Sequence, residues 1–235
     1  MRNEYPLHIG SSTLLLLADK AIYWPEQQAL LIADAHFGKA AAYRALGQPV
    51  PQGTTSHNLQ RLNMLLSHYP AQQLIFLGDF LHAPKSHAPA TLAALSHWRA
   101  QHAQLQCILV RGNHDKHAGD PPANLNILTV DEPYLMGNFA LQHTPAPHPT
   151  HHVLAGHVHP TFRLQGKGRQ RLTLPCFHHQ PQMTLLPSFG DFTGGYVMEN
   201  TPGNFICVTN GQYLWPVTSS PADPVSADSG QAEKC

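Results

Sequence analysis

Seven residues able to bind a metal sit in five short polar motifs, each set directly after a run of apolar residues. The motifs are Asp34-Ala35-His36, Gly78-Asp79, Gly112-Asn113-His114-Asp115, His143 and Gly156-His157-Val158-His159. Asp34, His36, Asp79, Asn113, His143, His157 and His159 together offer carboxylate, amide and imidazole donors. Such a set suits divalent ions such as manganese, iron or zinc and is unlike a thiolate cluster. Taken singly the motifs are weak, since Gly-Asp is a common turn dipeptide. Their number and order make the case.

The positions of the motifs strengthen it. Asp34 ends the run 30–33, Asp79 ends 74–77, Asn113 and His114 follow 108–110, and His157 follows 153–155. Ligands in α/β sheets collect where strands give out at their carboxyl ends, because loops converge there while the strands behind stay rigid. Apolar runs at 14–17, 21–24 and 29–33 predict antiparallel strands joined by tight turns. Leu59, Leu62, Leu65 and Leu66 recur at helical spacing, so a helix is expected over 54–68, with Thr54, Thr55 or Ser56 as its cap. A second helix is expected over 90–102, and buried strands over 74–77 and 107–110. Beyond Asn126 the pattern predicts strands at 127–130, 139–141, 153–155, 161–164, 171–174, 183–186 and 204–209. These elements imply an α/β fold with two packed sheets and helices outside them.

At 235 residues the chain suits one well-buried domain, expected over 1–217, with a small, polar, Pro-containing tail over 218–235. Formal charge is zero, which argues against a broad electrostatic attraction to nucleic acid or an anionic membrane. No apolar stretch reaches membrane-spanning length and no full signal peptide opens the chain, so a cytoplasmic protein with no membrane partner is expected. The four cysteines show no CxxC spacing, and Cys107 and Cys207 read as buried free thiols, with Cys235 exposed in the tail. The eighteen histidines outnumber the fourteen lysines and arginines, so most need an ordinary explanation. His148, His151, His152, His178 and His179, among prolines and polar residues, read as exposed loop residues, and His82, His87 and His117 likewise. Lys39, Arg44, Arg111 and Lys116 flank the motifs, where phosphate contact and plain solvation are both open.

In chain order the motifs D-x-H, G-D, G-N-H-[DE], H and G-H-x-H resemble those of the calcineurin-like metallophosphoesterase superfamily. The resemblance implies a four-layer αββα sandwich of two mixed β-sheets flanked by helices. It implies one metal on Asp34, His36, Asp79 and His159 and another on Asp79, Asn113, His143 and His157, with Asp79 bridging. The two ions would share a hydroxide that attacks phosphorus in line. His114, outside the ligand set, would protonate the leaving group, with Asp115 orienting its ring and Asn113 touching both metal and phosphate. Many family members place glycine after the fourth motif, whereas Thr144-Pro145-Ala146-Pro147 follows here, so His148, His151 and His152 stand as alternatives to His143.

The segment Gly78-Asp79-Phe80-Leu81-His82 lacks the arginine of the phosphoprotein phosphatase motif G-D-x-V-D-R-G. The text 34–40, Pro49-Val50-Pro51-Gln52-Gly53-Thr54-Thr55, 78–82 and Leu172-Thr173-Leu174-Pro175-Cys176-Phe177 is similar to the bacterial ligase-associated DNA-damage-response endonucleases, the ICC-like phosphoesterases. That similarity implies a manganese-dependent phosphodiesterase or nuclease acting in DNA repair, with DNA as substrate and a ligase and helicase as partners. Two rivals remain open at this point. One is a small-molecule phosphodiesterase or pyrophosphatase acting on nucleotides or nucleotide-sugars, and the other is a histidine-rich metal-binding module without turnover.

Overall fold

A strand that is apolar on both faces needs a layer on each side of it, and the central strands of this chain have that character. The structure, a computed structural model, describes residues 2–50, 53–166, 168 and 170–217. The expected tail over 218–235, with Cys235, lies outside the described residues. Strands β1 (Glu4–Ile9), β2 (Ser12–Leu17), β3 (Ala21–Trp24), β4 (Ala29–Ala33), β5 (Gln73–Leu77), β6 (Gln106–Val110) and β7 (Ile127–Val130) form one sheet in sequence order. Pairing is antiparallel from β1 to β4 and parallel from β4 to β7. The parallel half follows from the crossovers through helices α2 (Thr54–His68) and α3 (Pro89–Gln101).

Side chains alternate across this sheet. Leu30, Ile32, Leu74, Phe76, Cys107 and Leu109 face Leu59, Leu62 and Leu65 of α2 and Leu95 and Trp98 of α3. Leu31, Ile75, Leu77, Ile108 and Val110 face the other way, onto Phe139, Leu141, Leu154 and Phe177 of the second sheet. That sheet has nine strands: β8 (Tyr134–Met136), β9 (Phe139–Gln142), β10 (His152–Ala155), β11 (Pro160–Gln165), β12 (Arg171–Gln180), β13 (Met183–Leu185), β14 (Tyr196–Val197), β15 (Phe205–Thr209) and β16 (Leu214–Val217). It is also mixed, with β10 parallel to β9 and β13 and the β11–β12 and β12–β15 pairs antiparallel. The expected α/β class with two mixed sheets is therefore what the chain forms. The clusters on the second sheet's outer face are built of strand and loop residues, so the αββα arrangement has its packed helices on the first sheet among the described residues.

Short elements escaped the apolar pattern. Helix α1 (Lys39–Arg44) and helix α4 (Asn113–Ala118) each span six residues, too few for a periodicity to show. Helix α2 covers the expected 54–68, but its cap is Gly53 in the left-handed region, with no side-chain bond. Thr55 serves elsewhere, its hydroxyl accepting the Gly38 amide at 3.2 Å. His178 and His179 correct the loop expectation, because they lie within β12 and His178 is buried. His179 stacks on His152, and both rings bond the buried Thr184 hydroxyl at 2.9 Å. Cys107 and Cys207 are buried free thiols as expected, and burial pushes them up to about 11 and about 12. No described helix is long and apolar enough to cross a membrane.

Leu31, fully buried between the sheets, should lose roughly 2–5 kcal/mol when cut to alanine, read from urea unfolding. Burial, reinforced by His179, holds the His152 imidazole down to about 4. The unfolded chain then takes up a proton at a pH where the folded chain does not, so stability should fall as pH drops from the ordinary imidazole range towards 4. His152→Gln should flatten that part of a melting-temperature profile against pH; an unaltered slope would show that other groups set it.

Candidate metal centre

The five motifs meet at one edge of the two sheets. Asp34 and His36 follow β4, Asp79 follows β5, Asn113 opens α4 after β6, His143 follows β9, and His157 and His159 lie between β10 and β11. The β4 and β5 exits are tied together, as the His36 and Phe37 amides donate to the Asp79 and Phe80 carbonyls at 2.8 Å. Asp34, His36, Asp79 and His143 are buried, His159 is partly so, and Asn113 and His157 are exposed.

This convergence strains the backbone. Asp34, His36, Asp79, His157 and His159 have φ of 52°, 46°, 49°, 70° and 50°. Left-handed conformations are unfavourable for such residues and gather where structure is held for function, at about 1–3 kcal/mol each. Glycines make room in the same turns. A Cβ on Gly78 would collide with the His143 ring, one on Gly112 with the Asp79 carboxylate, and one on Gly156 would sit 2.6 Å from Asp34 Oδ2.

Distances define two overlapping groups. Asp34, His36 and His159 have ligand atoms within 4.8 Å of one another, and so do Asp34, Asp79 and His143. Asp79 also spans both, with Oδ2 3.8 Å from His36 Nε2 and Oδ1 3.4 Å from His143 Nε2. His143 Nε2 lies 2.8 Å from Asn113 Oδ1 and 3.0 Å from His157 Nδ1. His143 Nδ1 donates to the Leu77 carbonyl at 3.2 Å, a partner that can only accept. Its Nε2 therefore presents a lone pair to an amide oxygen, a carboxylate oxygen and a second imidazole. A cation reconciles that many lone pairs, and backbone carbonyls that orient imidazoles are usual around bound metals. His159 repeats the device, with Nδ1 donating to Gly194 O at 3.0 Å and Nε2 3.5 Å from Asp34 Oδ1. The residues present thus fit a bound divalent metal.

Burial dominates the electrostatics. It raises Asp79, opposed by His143 and reinforced by Asp34, and it lowers His36, which stays neutral and able to ligate. Burial also acts to lower His159, but its hydrogen bond and attraction to Asp34 outweigh this and raise it. Lys39 is buried nearby and lowered by desolvation against the pull of Asp34 and Asp79.

Some expected roles move. Asp115 does not orient His114: its oxygens accept the Phe80 and Gly112 amides at 2.9 Å, tying α4 to the β5 exit. Burial pushes that carboxyl up to about 6. His114 is oriented by the His82 carbonyl, which accepts from Nδ1 at 2.8 Å, and the two rings stack with centroids 5.0 Å apart. His82 is half-buried and held down to about 4 by desolvation, so it belongs to the histidine cluster at this centre. His87 bonds the Ala118 carbonyl and His117 the Asn113 carbonyl. Arg111 is engaged by Asp120 and Asp131 at 2.8 and 3.0 Å, which makes it a structural residue. Of the alternatives to His143, His148 and His151 pack on each other and His152 bonds Thr184, so only His143 reaches the centre.

Sequence reasoning missed Glu132, whose Oε2 accepts the His143 and Thr144 amides at 2.8 Å while Oε1 takes the Thr144 hydroxyl at 3.0 Å. The Thr144 that departs from the family pattern is thus anchored. Glu132→Ala should loosen His143 and weaken metal affinity about 10- to 100-fold, measured by titration calorimetry; affinity equal to the parent's would remove Glu132 from this role.

No protein-family model and no curated protein matches the chain. Among solved structures, nuclease MPE of Pseudomonas putida is 49% identical, with the match covering 92% of this chain and 100% of that one, at a TM-score of 0.81. The protein AQ665 of Aquifex aeolicus is 22% identical over 60% of this chain and 82% of its own, at 0.39. The phosphoesterase YfcE of E. coli is 17% identical over 80% of this chain and 97% of its own, at 0.40. These last two add nothing to the assignment. With half its residues shared along the full length of the Pseudomonas putida enzyme, and with acid and imidazole groups suited to a metal at the strand ends, the chain belongs to that metallophosphoesterase family and is a phosphoester-hydrolysing enzyme.

Proposed function

We propose that the protein is a two-metal phosphodiesterase of nuclease type, with domain 1–217 as its catalytic unit. The lone pairs that converge from Asp79, Asn113, His143 and His157 carry the metal reading. Asp34, His36, Asp79 and His159 would hold one ion and Asp79, Asn113, His143 and His157 the other, with manganese favoured and iron or zinc compatible. When bound, such ions supply a water of lowered pKa and positive charge for the phosphoryl oxygens. The Pseudomonas putida relative, a nuclease, supports a nucleic acid as substrate, and DNA in particular follows from the family resemblance. A place in DNA repair beside a ligase and a helicase rests on the family resemblance alone, and a cytoplasmic setting on the expectation drawn from the sequence.

The chain's own residues then have separable tasks. His114 is held by the His82 carbonyl through Nδ1, leaving Nε2 at 3.9 Å from Asp79 Oδ2 on a side chain 38% exposed. From there a protonated imidazole would deliver a proton to the leaving oxygen. Asn113 keeps its oxygen on His143, and its amide nitrogen is free in role to donate to a phosphoryl oxygen. Asp115 holds the turn that places both.

The test is a manganese-loaded assay across single-stranded DNA, duplex DNA, cyclic nucleotides, bis-p-nitrophenyl phosphate and phosphomonoesters. Turnover of the diesters is expected, and activity confined to phosphomonoesters would overturn the reading. Asp79→Ala should lose at least one metal by elemental analysis; two metals retained would contradict the bridge. His114→Ala should lower turnover of substrates with alkoxide leaving groups by roughly 10²–10⁴-fold and spare nitrophenolate, which needs no proton. Equal losses on both would exclude the acid role.

A further inference from the structure

Strain marks a second place on this edge of the molecule. Beyond the candidate ligands, Lys20 (φ 65°) and Phe192 (φ 57°) are also left-handed, and both border one cavity of about 170 Å³. His159 forms part of the same wall, so the cavity opens beside the metal centre. The topology brings them together. Register between β3 and β4, with Ile22 opposite Leu31, puts the β2–β3 turn carrying Lys20 at the edge where Asp34 emerges. The segment bearing Phe192 is fastened to β4 by the Phe189 and Gly190 amides, which donate to the Ala33 and Asp34 carbonyls at 2.8 and 3.0 Å.

Lys20, Asp191 and His159 are the titratable groups of the lining, and Phe192 gives it an apolar lip. Lys20 is partly buried, and its amide bonds the Leu17 carbonyl while its ammonium has no hydrogen bond or ion pair within 4 Å among the described residues. Burial, and next the charge of Arg61, pushes its ammonium down to about 7, against weaker support from Asp191 and Asp19. Asp191 is already taken by His57 at 2.8 Å and Arg61 at 3.6 Å. Phe192 leaves 52% of its surface exposed at the rim. The volume lies below the roughly 300–1,000 Å³ of a drug-sized ligand pocket, and suits one unit of a longer molecule.

We propose that this cavity seats the nucleotide next to the scissile phosphodiester, with its phosphate on Lys20 and its base against Phe192. The proposal rests on the nuclease reading. It accounts for how a chain of zero formal charge grips a polyanion: a desolvated ammonium that a bound phosphate would hold protonated replaces a broad basic face. An exposed ring next to that cation gives a base a surface to stack on, whatever its sequence.

The test compares kcat/KM for a single-stranded oligodeoxynucleotide with that for bis-p-nitrophenyl phosphate, which has no neighbouring phosphate or base. The ratio of the two should fall about tenfold in Lys20→Met, as expected for losing one charge-assisted contact. The slope of log KM against log salt on the oligonucleotide should shrink by about 0.7, and Lys20→Arg should restore it. Phe192→Ala, which alters an exposed side chain, should lower the same ratio by about tenfold. A ratio and salt slope unchanged in Lys20→Met would overturn the proposal while leaving the nuclease reading intact. A parent enzyme that turns over bis-p-nitrophenyl phosphate but no oligonucleotide would overturn both.

Discussion

Two buried carboxylates, Asp34 and Asp79, with ligand atoms brought within 4.8 Å of His143, set the constraint on which the rest of the structure depends. Carboxylates out of water and this close destabilise one another, and burial with mutual repulsion raises Asp79. The His36 imidazole beside them, held neutral by burial, adds a lone pair and not charge. A divalent cation would resolve both problems at once, and the groups present could hold one.

Holding those groups requires rigidity behind them and tight turns in front. Strands β4, β5 and β6 supply the first, being apolar on both faces beyond the glutamines that open β5 and β6 and packed against α2 and α3 on one side and the second sheet on the other. The turns supply the second, at the expense of five left-handed residues and of side chains at Gly78, Gly112 and Gly156. The 188–190 segment braces the β4 exit further, as the Ser188 hydroxyl and the Gly190 amide both donate to the Asp34 carbonyl at 3.0 Å. Its Phe189 ring lies under the Arg61 guanidinium at 4.0 Å, linking the brace to α2. The same brace carries Phe192, so one stretch of chain fixes a candidate ligand and frames the cavity next to it.

Much of the fold was legible. Helix α2 matches its leucine spacing end to end, and the strands from β4 to β7 match their apolar runs to within a residue. What escaped was short or polar: α4 consists of Asn-His-Asp-Lys-His-Ala and starts because Asp115 turns back to cap the Gly112 amide. The Gly-Asn-His-Asp text carries that signal, because an acid three residues after the turn glycine can cap its amide. His178 and His179 misled through their polar neighbours, because a strand accepts imidazoles wherever polar groups can pair with them, as Asn204 does with His178 and Thr184 with His179.

The sequence by itself determined which residue types stand at the ends of apolar runs, and hence the donor chemistry, since ligand identity and strand termination are both local properties. Tertiary structure decided the rest. That Glu132 anchors His143, that the His82 carbonyl aims His114, and that Lys20 comes to lie beside His159 are contacts between segments 11, 32 and 139 residues apart. No local pattern encodes such pairs, because they are fixed only when two sheets close on a shared core and bring their edges to one side.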